Sequence, residues 1–366
     1  MAKKKSCKVE FADDPVSNQI NKKYGDIIES GSKVLAALEN FETIGISPAL
    51  DIALGGGLRE GSCVVMTGDP KTGKTTTALY FAAKAQKLGK NVFYFNTEGR
   101  MVKENFKGIK NLDIDSIKIV QATDSEPLVS AEKYLNTLET LIKNIPDLVA
   151  IVDSTSSMVP QDELDGEIRT GVRNALPRLL SMFFKRISGD VSRMKAIVIF
   201  VTHNIANTGG SRWSPAKMAD CGNMLQYQAG TNMVITHRGK WEVPKDSGQH
   251  VGQVANWVIK TSAAGGIPNS TAAGWIRYGI GIDEAQEVAQ IASEFAMISR
   301  SGAWYTMTAC IDNQEDPVIK NWIVENNIED IEKAFRFQGM EKVVVFLEEN
   351  PTICEFLYEH IKEVLL

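Results

Sequence analysis

The sequence predicts an α/β fold with a mostly parallel central sheet, an N-terminal helix ahead of it and a small α-rich C-terminal domain behind it. Three observations carry that prediction. Apolar runs of four to six residues alternate with segments of helical period between residues 63 and 201. A turn, Gly68-Asp69-Pro70-Lys71-Thr72-Gly73-Lys74-Thr75, joins the first such run to the first such helix, and past Gly281 short helices take over. With 366 residues, 43% of them hydrophobic, the chain exceeds the usual single-domain size and carries enough apolar mass for a large core. The expected division is an N-terminal segment over 1–36, a core over 37–280 and a C-terminal domain over 281–366.

In chain order, Ile20, Tyr24, Ile27 and Ile28 recur at helical spacing and predict a short amphipathic helix from about Asn18 to Lys33. The strand Cys63–Met66 leads into a helix from Lys74 to about Leu88, stopped by Gly89, and the strand Val92–Phe95 follows. A helix from about Pro127 to Lys143 carries Leu128, Ala131, Leu135, Leu138 and Ile142 on one face, ahead of the strand Leu148–Val152. A further helix, about Val172 to Ser188, precedes the strand Ala196–Val201. Residues Asn207–Pro215 then lose all periodicity and read as a loop. Strands at Asn232–Thr236, Val254–Ile259 and Trp275–Tyr278 are expected to close the sheet, whose continuous apolar runs imply burial on both faces. Helical segments follow near Asp283–Ile298, Val318–Val324, Ile328–Phe335 and Pro351–Leu366.

Composition excludes several classes. No stretch reaches the ~18 consecutive apolar residues of a membrane span, and Met1–Cys7 has no apolar segment behind it, so a cytoplasmic location without membrane contact is expected. Cys7, Cys63, Cys221, Cys310 and Cys354 are odd in number and form no C-x-x-C pair, which predicts reduced thiols and no metal site built on them. A net charge of −5 gives no general attraction to polyanions. Locally, however, Arg169, Arg173, Arg178, Lys185, Arg186 and Arg193 stand against the single acid Asp190, and Arg212 and Lys217 follow. That patch is either a nucleic-acid contact or a solvated helix face.

The turn at 68–75 meets the G-x-x-x-x-G-K-[ST] pattern in its strand-loop-helix context, which predicts a nucleoside triphosphate site. Gly68, Asp69, Pro70, Lys71, Thr72 and Gly73 would turn backbone N–H groups inward as an anion nest, and the helix from Lys74 through Thr75 and Thr76 adds its positive end. Lys74 supplies a point charge to the phosphates and Thr75 a hydroxyl to Mg²⁺. Phosphoryl transfer also needs a metal-organising acid and a second acid that polarises water. Asp153, ending the Leu148–Val152 strand, and Glu98, just beyond Val92–Phe95, fall at the sheet edge where ligands of open α/β folds bind. His203 follows Ala196–Val201 to the same edge, as a phosphate sensor or as a plain strand cap. Segments of about 161–172 and 204–226 leave that edge carrying Arg169, Arg173, Arg212, Lys217 and Trp213, cations for phosphates and an aromatic that could stack on bases.

These pieces, in order and spacing, resemble the RecA recombinases of bacteria and their phage relatives such as UvsX. The similarity runs from about Ile46 to Tyr305. Ile46-Ser-Pro-Ala-Leu-Asp-Ile-Ala-Leu-Gly-Gly-Gly-Leu58 looks like the stretch leading into the family's phosphate loop, Thr97-Glu98 matches its catalytic glutamate, and Val152-Asp153-Ser154 its Mg²⁺-organising strand end. Asp165-Gly-Glu-Ile168 and Gly222-Asn-Met-Leu-Gln-Tyr227 resemble the borders of its two DNA-binding loops, while Gly274–Ile282 and Gly302-Ala-Trp-Tyr305 resemble the passage into its C-terminal domain. His203 stands where bacterial members have a glutamine sensor and UvsX-like members a histidine. Of two lysines that reach ATP from a neighbouring subunit, Lys260 matches the first, but the second position is Ser262. The family's adenine-stacking tyrosine corresponds to Asn105, with Phe106 adjacent.

The resemblance implies a RecA-type P-loop ATPase core that uses ATP and Mg²⁺. It further implies a DNA-dependent ATPase that forms a homo-oligomeric helical filament on single-stranded DNA, with residues 1–36 linking subunits, and pairs it with homologous duplex DNA in recombination and repair. Single-strand-binding and loader proteins are its implied partners, in the cytosol of a bacterium or a phage-infected host. The alternatives on the same fold are a ring-shaped helicase motor and a mediator that does not hydrolyse ATP.

Overall fold

The structure, a computed structural model, describes residues 14–165, 175–206, 217–220, 223–243 and 247–366. The chain divides into two compact units, 1–42 and 43–366. In the first, the single helix expected over Asn18–Lys33 is instead two, Pro15–Tyr24 and Gly31–Glu39, the second running across position 36. Asp14 caps the first by accepting from the N–H groups of Val16 and Ser17, and Ser30 caps the second. The break falls at Gly25, whose φ of 90° suits glycine and ends the first helix. Asn21 then accepts from the N–H groups of Ile27 and Ile28 at 3.1 and 2.9 Å, offering that stretch an alternative to helical pairing.

The second unit is built on a sheet of ten strands among the described residues. They are β1 (Ser62–Gly68), β2 (Asn91–Asn96), β3 (Lys118–Val120), β4 (Leu148–Asp153), β5 (Ile197–Ala206), β6 (Lys217–Ala219), β7 (Thr231–Glu242), β8 (His250–Thr261), β9 (Ser270–Arg277) and β10 (Gly281–Ile282). Their order is β10-β9-β8-β7-β1-β5-β4-β2-β3, with β6 on β5. The block from β7 through β1, β5, β4 and β2 to β3 is parallel throughout. From β7 outward to β10 each pair is antiparallel, and β7, β8 and β9 are longer than the short runs expected there. The reason lies in the connections: residues 243–249 and 262–269 are too short for the crossover helix that a parallel pair needs, so each strand folds back on the last.

Both faces of the parallel block are covered, which is why its strands are apolar without alternation. On one face, Val64, Met66, Tyr94, Ile151, Ile199 and Ile235 pack with the helices Lys74–Lys87 and Pro48–Leu54. On the other, Val65, Phe95, Val152 and Phe200 meet the helices Ala131–Asn144 and Ala175–Arg193. The first of these starts at Ala131 and not Pro127 because Ser130 caps it, accepting from Lys133 N–H. The second runs beyond the expected Ser188 to Arg193. Burying each Leu, Ile or Phe in these layers contributes roughly 1.5–3 kcal/mol.

A third apolar cluster, including Val288, Met307, Ile319, Phe335, Val344, Leu347 and Leu357, holds the C-terminal helices together. The helices Glu284–Glu294, Pro317–Glu325, Ile331–Ala334 and Pro351–Leu365 fall near their expected places. Reading that region as helical missed a three-stranded sheet, Ser299–Ser301, Trp304–Thr306 and Arg336–Gln338, and the helix Met340–Glu349. Gly302, at φ 61°, turns the first hairpin of that sheet. The region docks on the core through polar contacts: the Tyr358 hydroxyl donates to Asp51, and Arg277 bonds Asp283 and Glu348, both at 2.7 Å. Among the described cysteines, Cys63, Cys310 and Cys354 are free thiols; Cys7 and Cys221 lie outside the described residues.

Candidate active site

Residues 69–73 leave the carboxyl end of the fully buried β1 and run into the helix Lys74–Lys87. Gly73 sits at the helix N-cap with φ 99°, and a Cβ there would lie 2.3 Å from Ile276 Cδ1. A Cβ on Gly68 would lie 2.3 Å from the Ile235 carbonyl oxygen. A larger residue would meet the β7 backbone at Gly68 and would be strained by the positive φ at Gly73. Lys74 is only 5% exposed, and its ammonium donates to the carbonyls of Gly68 at 2.9 Å and Asp69 at 2.8 Å. Burial pushes this ammonium below its ordinary range, against the pull of Asp153, Glu98 and Asp69. Thr72 donates to the Asp69 carbonyl at 2.9 Å, and Thr77 to the Gly73 carbonyl at 2.9 Å while accepting from Trp257 Nε1 at 3.2 Å. Pro70 and Lys71 are exposed at the loop tip, and Thr76 is half-buried in the first helical turn.

The carboxylates arrive on the neighbouring strand ends. In register, Gly68 stands beside His203 on β5, Val201 beside Asp153 on β4, and Asp153 beside Asn96 on β2. Asp153 Oδ2 accepts from the Thr75 hydroxyl at 2.6 Å and the Tyr94 hydroxyl at 2.9 Å. Burial raises the Asp153 carboxyl above its usual range, although both hydroxyls oppose the rise. Glu98 Oε1 accepts from Ser154 Oγ at 2.7 Å and lies 2.7 Å from His203 Nε2. Burial pushes Glu98 up, but the His203 and Ser154 bonds outweigh it and hold the carboxyl below the ordinary range. An ionised carboxylate only accepts, so His203 donates from Nε2; its Nδ1 is buried without a partner among the described residues. Asn204, next on β5, donates to Asp69 Oδ1 at 3.1 Å and ties β5 to the phosphate loop.

The structure therefore brings Lys74, Thr75, Asp153, Glu98 and His203 to one sheet edge. Lys260 is elsewhere: it is exposed near the end of β8 and donates to Asn269 Oδ1 at 3.2 Å, while Ser262 donates to the Leu54 carbonyl at 2.5 Å. Phe106 is buried edge-on against Tyr94, with ring centroids 5.3 Å apart, and so is not free to stack on a base, whereas Asn105 is exposed. Arg169, Arg173, Arg212 and Trp213 lie outside the described residues, and Lys217 opens β6. Sequence reasoning missed Tyr94 and Ser154 as members of the site. Ser154 adjoins Asp153, and Tyr94 lies two residues before the end of β2, on the face shared with the phosphate-loop helix; those positions were the available signals.

Nothing in the donor set conflicts with a Mg²⁺–nucleotide. Gly68 and Gly73 sit where a Cβ would meet neighbouring atoms at 2.3 Å, the buried ammonium rests on carbonyls, and a hydroxyl–carboxylate pair of 2.6 Å stands beside the loop. Such a strand-loop-helix cradle, with acids at the end of β4 and just beyond β2 in the same parallel block, defines a P-loop nucleoside triphosphatase of the α/β class.

Comparison with known proteins narrows the class. The family model for the RecA N-terminal domain matches residues 13–283. Protein RecA of Thermotoga neapolitana is 31% identical over 320 residues, covering 87% of this chain and 82% of that protein. Protein RecA of Rippkaea orientalis is 27% identical over 354 residues, covering 96% and 90%, and that of Acholeplasma laidlawii 28% over 306 residues, covering 83% and 87%. The chain belongs to the RecA family. It is thus a RecA-family recombinase, and the family implies DNA-dependent ATP hydrolysis with Mg²⁺.

Proposed function

We propose that this protein forms ATP-dependent filaments on single-stranded DNA and catalyses homologous pairing and strand exchange with duplex DNA. The observation that carries the reading is the continuous set of contacts from the phosphate loop to β5. His203 holds the carboxylate assigned to water activation, and Asn204 holds Asp69 of the loop. Three residues further on, β5 passes into residues 207–216, part of the segment assigned to DNA. Occupancy of the nucleotide site is thereby linked to the strand end from which that segment follows in sequence.

When bound, Mg²⁺–ATP supplies the γ-phosphoryl group and a divalent charge that offsets the charge developing on it. Lys74 would exchange the carbonyls of Gly68 and Asp69 for phosphate oxygens. Thr75 would offer a lone pair to the metal while its hydroxyl goes on donating to Asp153 Oδ2, and Asp153 would orient water around the metal. Glu98, kept ionised by its two donors on Oε1, would take the proton of the attacking water. Arg169, Arg173, Arg212 and Lys217 pair with DNA phosphates and Trp213 stacks on bases. Lys260 reaches the nucleotide of an adjoining subunit, with residues 1–36 linking subunits. Among the described residues no helix is long and apolar enough to cross a membrane, and we assign the protein to the cytosol.

ATP hydrolysis measured with and without single-stranded DNA tests the linkage. Marked stimulation by DNA is expected; a rate indifferent to saturating DNA would remove the proposed coupling.

A further inference from the structure

We propose that Tyr94 is a positioning residue for the divalent cation, acting through Asp153; the inference rests on the nucleotide-site reading above. The Tyr94 ring is 4% exposed, held between the sheet and the phosphate-loop helix, with Phe106 edge-on against it. A buried phenol needs a partner for its proton, and the one it has is Asp153 Oδ2 at 2.9 Å. Thr75 donates to the same oxygen at 2.6 Å. Two donors from different elements, one on β2 and one on the helix Lys74–Lys87, therefore converge on a single carboxylate oxygen. Together they fix the plane of the carboxylate, and Oδ1 is the oxygen left to meet a ligand of the metal.

When a cation arrives the Thr75 hydroxyl has two tasks, donating to Oδ2 and offering a lone pair to the metal. The Tyr94 hydroxyl has one, and its ring is locked by packing, so its contribution persists in the loaded site. The contacts of Tyr94 are with Asp153 and Phe106. Its removal should accordingly weaken the metal-dependent part of nucleotide binding and leave the metal-independent part intact.

Tyr94→Phe removes only the hydroxyl and keeps the ring packing, and Asp153→Asn serves as the reference for losing the carboxylate. ATP binding to each full-length protein is followed by calorimetry in EDTA and across a Mg²⁺ series, without reading turnover. A hydrogen bond to a charged group of this kind corresponds to about a ten-fold change. Tyr94→Phe should raise the Mg²⁺ concentration for half-maximal ATP binding by about that factor, with unchanged affinity in EDTA. An unmoved Mg²⁺ midpoint, or an equal loss of affinity with and without Mg²⁺, overturns the role of Tyr94 if Asp153→Asn does shift the midpoint. If Asp153→Asn leaves the midpoint where it was, the metal assignment itself falls.

Discussion

Glu287 offers a test of how the C-terminal region is seated, independent of any ligand. It lies in the first turn of the helix Glu284–Glu294 and is fully buried. Its Oε2 accepts from the Ala49 N–H at 3.0 Å, and Oε1 has no partner among the described residues. Burial pushes this carboxyl from 4.5 up to about 8, with the nearby acids Glu284 and Asp51 adding to the rise; Asp51 is itself buried and raised to about 6. Below its unfolded value the group is protonated whether or not the chain is folded. As pH rises, the unfolded chain releases the proton first, while the folded chain keeps it until about pH 8, so the stability present at low pH is lost across that window. At roughly 1.4 kcal/mol per unit, the full shift corresponds to about 5 kcal/mol at the alkaline end. Glu287→Gln removes the proton exchange but leaves an amide donor without a partner, at a cost of about 1–3 kcal/mol at every pH. Thermal melts of the two proteins from about pH 5 to about pH 9 should therefore converge or cross, the wild-type midpoint falling more steeply by roughly 5–10 °C in total. Parallel curves would refute the reasoning, since they would mean that Glu287 gains no proton on folding.

Three further outcomes follow from the site. Glu98→Gln should reduce ATP hydrolysis by about 10²–10⁴ while leaving ATP binding near wild type, as a filter-binding assay would register. His203→Ala should abolish DNA stimulation of hydrolysis because Glu98 loses its donor at 2.7 Å, whereas His203→Gln, which keeps a donor, should retain much of it; steady-state rates with and without DNA separate the two. Replacing Arg169, Arg173, Arg212 or Lys217 by Ala should lower the salt dependence of single-stranded DNA affinity by about 0.7 each in log–log slope, and Trp213→Ala should cost about 1–3 kcal/mol at all salt concentrations.

Much of this site was legible because its chemistry stands at the ends of apolar runs. Lys74, Asp153, Glu98 and His203 each stand at or beyond the end of a buried apolar run, so their polarity marks the sheet edge at which they meet. Tyr94 was hidden for the opposite reason: inside Val92–Phe95 its ring satisfies the apolar pattern, and only the fold shows that its hydroxyl reaches across to Asp153. The direction of β8 and β9 was likewise hidden, because parallel and antiparallel partners share the same residue preferences and only the length of the connection separates them. Glu287 looked like an ordinary acid in the first turn of a helix. Its burial depends on Ala49, 238 positions away in sequence, a contact that no local pattern carries. Gly25 was readable as a helix stop, but the spacing of Ile20, Tyr24, Ile27 and Ile28 continued through it and masked the break.

The most direct test of the central claim is strand exchange between a single-stranded DNA circle and a homologous linear duplex, with ATP and Mg²⁺ present. Joint molecules should form with the wild-type protein and be absent with Lys74→Ala, which lacks the ammonium that rests on the phosphate loop. Tight binding to single-stranded DNA and DNA-stimulated ATP hydrolysis without joint molecules would contradict the account.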